Sequence, residues 1–259
     1  MKIKQTFIVF LYLITQVGTI SVFAMEKHNT NTIIDHKNEC VVLLHGLARS
    51  NRSFLAMENS LKASGYYVVN LDYPSRKKTI EKLVENDVVK AVEECRSVQP
   101  KKIHFVTHSL GGILVRYYLL NYSLDNLGHV VMLSPPNQGS EIVDKLADFP
   151  GFYALNGPAG QQLGTSVVSL PNMLGPVDYS VGVITGNKSI NLILSTLIPG
   201  DDDGKVSVER AKVAGMSDYL VMPYTHPMIM SREEVIRQTI NYLQNGKFCR
   251  KNSSQKNQE

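Results

Sequence analysis

Ile103-His104-Phe105-Val106-Thr107-His108-Ser109-Leu110-Gly111-Gly112-Ile113-Leu114-Val115 is the stretch on which the reading of the fold turns. Its first four residues are short, apolar and β-branched enough for a buried strand. From Ile113 to Asn121 the residues are apolar over the length of a helix. Little separates the two, so Ser109 falls in a tight strand-to-helix turn. A serine on such a turn stands clear of the sheet, where its hydroxyl can act as a nucleophile. The usual form is G-x-S-x-G, and here Thr107 holds the first glycine position. The role of Ser109 therefore has to be argued from the rest of the chain.

Outward from this turn the same alternation recurs. Val41-Val42-Leu43-Leu44 is a continuous apolar run, as a central parallel strand covered on both faces requires, and it ends in His45-Gly46-Leu47. Residues 53–64 read as a helix, with Phe54, Met57 and Leu61 along one side and Gly65 as its stop. A strand over 67–71 precedes a helix over 79–96 that is carried by Ile80, Leu83, Val84, Val88, Ala91 and Val92. Further strands are expected at 130–133, 181–185 and 219–221, and a closing helix at 232–245. Short strands alternating with amphipathic helices imply an α/β fold, a parallel sheet with helices on both faces. Right-handed crossovers place every C-terminal strand end on one rim, which is where ligands bind. The chemistry is thus expected just after Leu44, Thr107 and Leu133. Residues 141–178 break the rhythm: they are rich in Gly and Pro, with one short helix expected near 142–147, and read as a cap insertion over the rim. Residues 188–198 read as a second piece of the same cover.

Composition narrows the class. Of 259 residues, 43% are hydrophobic and 19% charged, which supplies a core and excludes a disordered chain. Residues 1–24 have the form of a secretory signal: Lys2 and Lys4, an apolar run from Phe7, and Val22-Phe23-Ala24 as a cleavage site. Cleavage near Ala24 would make the protein periplasmic or secreted. Setting aside Lys2 and Lys4 leaves 25 basic against 23 acidic residues, too even a balance to argue for a nucleic-acid partner. The expected organisation is a signal at 1–24, a polar lead-in at 25–39, one domain at 40–248 and a disordered tail at 249–259. Thiols in an oxidising compartment tend to pair, and all three cysteines fall at the sheet edge opposite the expected site. Cys40 with Cys95 is the expected disulfide, leaving Cys249 free.

Ester hydrolysis by a serine needs a base, a group to orient that base, and donors for the oxyanion. On this topology the chain order is serine, acid, histidine. Only His226 lies downstream of both Ser109 and the acidic turn Asp201-Asp202-Asp203-Gly204. Asp203 precedes the glycine that permits a sharp turn and is the expected acid, with Asp201, Asp202 and Asp178 as alternatives. His108 adjoins Ser109, but neighbouring side chains on a tight turn diverge, so it is not the base. His45 reads as a residue that shapes its own loop. Oxyanion donors are expected from the backbone of Leu110, just after the serine, and of Leu47. The chain carries no HExxH helix, paired CxxC or phosphate-binding glycine loop, and this mechanism calls for no metal or organic cofactor.

VVLLHGL at 41–47, VTHSLGG at 106–112, LSPPNQGS at 133–140, DGKVSV at 203–208 and THP at 225–227 together resemble the α/β-hydrolase superfamily, within it the small bacterial lipases and esterases. The resemblance covers about Cys40 to Phe248 and is loose over 141–178. It implies the α/β-hydrolase fold in a shortened, mostly parallel form of about six strands. It also implies a Ser109–Asp203–His226 triad with Leu47 and Leu110 as oxyanion donors. The activity it implies is hydrolysis of carboxylic esters, of lipid or acyl type, through an acyl-enzyme, with transient contact with a lipid surface. An acyltransferase or thioesterase would use the same triad, and a non-catalytic hydrolase-like binding protein is the reading from a different class. The sequence leaves the oligomeric state undetermined.

Overall fold

The computed structural model describes residues 38–190 and 195–250. The expected signal at 1–24, the lead-in up to residue 37, part of the 188–198 stretch and the tail beyond Arg250 lie outside the described residues.

Six strands form one sheet: β1 (Glu39–Leu44), β2 (Tyr67–Leu71), β3 (Lys102–His108), β4 (Leu127–Leu133), β5 (Val181–Gly186) and β6 (Asp218–Met222). Their spatial order is β2-β1-β3-β4-β5-β6, and every neighbouring pair is parallel. β1 is apolar on both faces because both are covered. Its side chains alternate, as strand geometry demands. Val41 and Leu43 pack with Phe54, Met57 and Leu61 of one helical layer and with Val235, Tyr242 and Leu243 of the last helix. Cys40, Val42 and Leu44 face the opposite layer, among Leu83, Val88, Ile113 and Leu114.

That first layer consists of α1 (Leu55–Ala63), entered through a 3₁₀ turn at Asn51–Phe54, and α8 (Glu233–Asn245). The second begins with α2 (Ile80–Leu83), capped by the Thr79 hydroxyl, which accepts the Lys82 N–H at 3.4 Å. A π turn at Val84–Val88 then leads into α3 (Val89–Ser97), so the helix expected over 79–96 contains a wide turn that its apolar spacing did not reveal. α4 (Leu110–Asn121) begins at once after the turn of interest, three residues earlier than its apolar run. Gly111 makes this start possible: a Cβ there would lie 2.3 Å from the Leu44 carbonyl oxygen. The first turn of α4 can press against the end of β1 only through a residue with no side chain.

Residues 141–178 fold as α5 (Glu141–Leu146), α6 (Phe152–Gln161) and α7 (Leu170–Met173). Only α5 was expected. α6 is broken at Gly157, with φ 65°, beside Pro158, so no run of helical spacing is long enough to register in the sequence. The segment is anchored to the second layer through Gln162, whose side chain accepts the Ile80 N–H at 2.8 Å and donates to Glu81 at 2.8 Å. Among the described residues no helix is long and apolar enough to cross a membrane.

Cys40 and Cys95 are bonded, their Cα atoms 5.8 Å apart, and tie the start of β1 to the end of α3. Cys249 is free and exposed. It was expected to open a disordered tail, but Cys249 and Arg250 are held. The Gln238 amide donates to the Cys249 carbonyl at 2.7 Å and accepts its N–H at 2.8 Å, and Arg250 pairs with Asp218. The bridge closes a segment of 55 residues. Replacing Cys40 and Cys95 together by Ala should lower unfolding free energy by about 4 kcal/mol, from the chain entropy restored to the unfolded state. Denaturant titration of the two forms is the measurement, and equal midpoints would refute a stabilising role.

Candidate active site

The chemistry-bearing residues sit on the turns that leave the C-terminal rim of the sheet after β1, β3, β4, β5 and β6. Ser109 follows β3 with φ 51° and ψ −119°, a left-handed conformation that costs a non-glycine residue about 1–3 kcal/mol. The turn is pinned on both sides: the Ser109 N–H donates to the Leu133 carbonyl of β4 at 2.9 Å, and the Gly112 N–H donates to the Ser109 carbonyl at 2.9 Å. Thr107, in place of the usual glycine, is fully buried, its hydroxyl 3.5 Å from the Val131 carbonyl. Its compact side chain fits beneath α4, where a hypothetical Cβ on Gly112 would meet the Thr107 hydroxyl at 3.5 Å.

The turn after β1 lies directly against this elbow. A Cβ on Gly46 would come within 2.7 Å of the His108 Nδ1 and 3.2 Å of the Ser109 Cβ. His45 is buried beneath it and stacks on Tyr73 at 4.0 Å, with its Nδ1 2.8 Å from the Gly46 carbonyl. The Tyr73 N–H donates to His45 Nε2 at 3.3 Å and the Tyr73 hydroxyl donates to the His45 carbonyl. Burial holds the imidazole below its ordinary pKa, so it serves as a neutral spacer that fixes the loop. Among the described residues, neither the Leu47 nor the Leu110 backbone N–H is taken by a protein acceptor.

The acidic turn separates its three carboxylates sharply. Asp203 is fully buried and its Oδ2 lies 2.8 Å from His226 Nδ1. Its Oδ1 accepts the N–H groups of Lys205 at 3.0 Å and Val206 at 2.9 Å, and the His226 N–H donates to the Asp203 carbonyl at 2.8 Å. Burial alone would raise this carboxyl. The charge and hydrogen bond of His226 and the backbone donors more than offset that, and Asp203 stays below the ordinary carboxylate range. The Ser134 hydroxyl adds to this lowering without closing a well-formed hydrogen bond. Asp202 is turned the other way, accepting from Gly204 N–H at 2.6 Å and the Ser195 hydroxyl at 2.9 Å. Asp201 is exposed, and Asp178 lies before β5 at the opposite edge of the sheet.

With Nδ1–H donated to Asp203, the other ring nitrogen of His226 is left as an acceptor, the tautomer a general base needs. The structure thus joins Asp203 to His226. It does not join His226 to Ser109: the Ser109 hydroxyl makes no hydrogen bond to the protein among the described residues. Such contacts commonly close only when substrate is bound.

His108 has a place that its sequence position did not indicate. It is buried, its Nε2–H donates to the His226 carbonyl at 3.0 Å, and the two rings lie 4.7 Å apart. Its Nδ1 has no hydrogen-bond partner. Burial, then the charge of His226, press its pKa well below 6.5, with Arg49 and Lys205 adding to the effect. His108 is therefore a neutral strut between the serine turn and the histidine loop. Only the partner 118 residues away reveals this, and no local signal could. Among the described residues no cluster of three or more His, Cys, Asp or Glu gathers as a metal site.

Residues 41–224 match the sequence pattern of the alpha/beta hydrolase family. Among solved structures the chain is similar to the Bacillus licheniformis lipase BlEst2 in mature form, with a TM-score of 0.63 and 17% identity over 81% of this chain and 93% of that one. It is also similar to the phospholipase PlaB from Legionella pneumophila, with a TM-score of 0.58 and 18% identity, covering 73% of this chain and 53% of that one. A third is the Paleococcus ferrophilus monoacylglycerol lipase, with a TM-score of 0.51 and 17% identity over 80% of this chain and 94% of that one. At such identities the likeness is one of fold. No curated protein sequence matches the chain.

Two substitutions probe the turn. His108→Phe keeps the ring volume but leaves the His226 carbonyl unsatisfied, which should cost about 1–3 kcal/mol. His108→Gln, which restores a donor, should recover most of that loss; failure of Gln to rescue would sink the strut role. Because a depressed histidine binds its proton more readily when unfolded, native stability falls as pH drops below 6.5, and His108→Gln should flatten thermal midpoints measured between about pH 7 and pH 5. Thr107→Gly should lower stability by roughly 1–2 kcal/mol through backbone freedom and a small void. Calorimetric midpoints unchanged from the native protein would make the threonine neutral.

Proposed function

The chain belongs to the alpha/beta hydrolase family, and from that premise we propose that it is an exported serine hydrolase cleaving carboxylic esters through Ser109, Asp203 and His226. The observation that carries the reading is the buried Asp203–His226 pair, set on the same rim as the strained Ser109 turn. In this mechanism His226 takes the Ser109 proton as Oγ attacks the ester carbonyl, and Asp203 holds the imidazole and stabilises its charged form. The oxyanion rests on the Leu47 and Leu110 N–H groups, each such donor typically contributing about 3–4 kcal/mol. His226 returns the proton to the departing alcohol, an acyl-Ser109 remains, and water repeats the cycle to release the acid.

The cap supports a lipid or acyl substrate over a small polar one. Phe149, Tyr153, Leu155, Val167, Val168 and Met173 are each more than half exposed on or beside its short helices. Apolar surface of this kind suits transient contact with a lipid surface. Export to the periplasm or medium rests on the form of residues 1–24 and on the Cys40–Cys95 bridge, which an oxidising compartment favours.

A fluorophosphonate probe should label the native protein and not Ser109→Ala. Hydrolysis of nitrophenyl esters should fall on the order of 10⁴-fold in Ser109→Ala and in Asp203→Asn, with the rate rising along a series of lengthening acyl chains. A folded native protein that resists the probe would end the enzyme reading.

A further inference from the structure

A second recognition feature adjoins the candidate catalytic site. A cleft of about 430 Å³ lies between the loop that follows β1 and the loop that follows β2. Its walls are built, because Ala48 N–H donates to the buried Ser75 hydroxyl at 3.0 Å and Asn51 N–H donates to Asp72 at 3.3 Å. The stacked Tyr73 and His45 fasten the base. Ala48 is itself held at φ 57°, a conformation that persists only where its surroundings enforce it.

Arg49, Arg76 and Lys77 line this cleft. All three are exposed, and none is in an ion pair among the described residues. Several surface cations elsewhere are matched to acids, such as Lys62 with Glu58, Arg96 with Glu93 and Arg210 with Glu141. The neighbouring Lys78 already occupies Asp87 at 2.8 Å. Asp72 is the one carboxylate in the lining, so the cleft carries two more positive charges than negative ones. Unpaired cations on a rigid wall repel one another, and a multiply charged oxyanion removes that repulsion while accepting their N–H donors. A single carboxylate has too few oxygens and too little charge for three such groups, whereas a phosphate has enough. The cleft starts one residue beyond Leu47, next to the point where the ester carbonyl would be bound.

We propose that the cleft lined by Arg49, Arg76 and Lys77 binds a phosphate group carried by the ester substrate. This rests on the hydrolase reading, since the ester and the phosphate belong to one molecule. The phosphate has two sources, a lipid headgroup or a soluble phosphorylated ester. The test compares a water-soluble short-chain phosphatidic acid with the uncharged diacylglycerol of the same chains, using the full-length protein. The expected kcat/KM is about tenfold or more higher for the phosphate-bearing ester and falls with added salt. Arg76→Gln combined with Lys77→Gln should bring that ratio close to one, and Arg76→Glu combined with Lys77→Glu should invert it. Vesicles of phosphatidylcholine with and without phosphatidic acid form the second arm. A preference confined to vesicles assigns the lipid headgroup, and one present for the soluble monomer assigns the soluble ester. Equal kcat/KM in both arms, or a ratio that survives the variants, overturns the cleft's role. In that event fluorophosphonate labelling of the native protein shows that the hydrolase reading still holds. Absence of both labelling and turnover overturns the two together.

Discussion

The backbone of Ser109 is held where a serine would not rest by itself, and the surrounding architecture is what keeps it there. Its left-handed conformation costs about 1–3 kcal/mol, a sum that any one buried side chain of the following helix can offset. Leu110, Ile113, Leu114 and Val115 are all fully buried, so α4 is driven onto the sheet with several times that free energy. Gly111 lets the helix come down against the Leu44 carbonyl, and the Ser109 N–H closes onto β4. Within the turn between β3 and α4 the positive φ falls on Ser109 alone.

Around that residue runs a chain of buried polar groups: Val206 N–H to Asp203, Asp203 to His226, and the His226 carbonyl to His108. Each link removes a donor or acceptor that would be expensive to leave unpaired away from water. The links join loops that follow β3, β5 and β6, so the geometry of the proposed base is set by the register of the sheet and not by its own loop. The Asp203 carboxylate remains ionised because the His226 and backbone partners outweigh its burial. His108, neutral and wedged against Gly46, keeps the histidine loop at a fixed height over the elbow.

The order of strands and helices was legible because both signals are local. Residues 67–71 and 181–185 are short β-branched runs between turn residues, and they became β2 and the body of β5. α5 showed through its own spacing, but α6 did not, since Gly157 and Pro158 divide it into pieces shorter than the period that reveals a helix. The choice among Asp201, Asp202 and Asp203 could be narrowed from the glycine that follows, yet three adjacent carboxylates differ only in where a turn points them. The π turn at Val84–Val88 and the hold on Cys249 by Gln238 left no mark in composition or spacing.

By itself the sequence determined the fold class, and it nominated a rim for chemistry and candidates for it in the order serine, acid, histidine. These follow from hydrophobic periodicity, turn chemistry and the fixed hand of parallel connections, all of which are written within a few residues of one another. The tertiary structure decided which carboxylate meets His226, that His108 braces it, and that Arg49 shares a cleft with Arg76 and Lys77. Each of these pairings spans 23 residues or more, and a contact at that range exists only once the sheet has set the strand ends side by side.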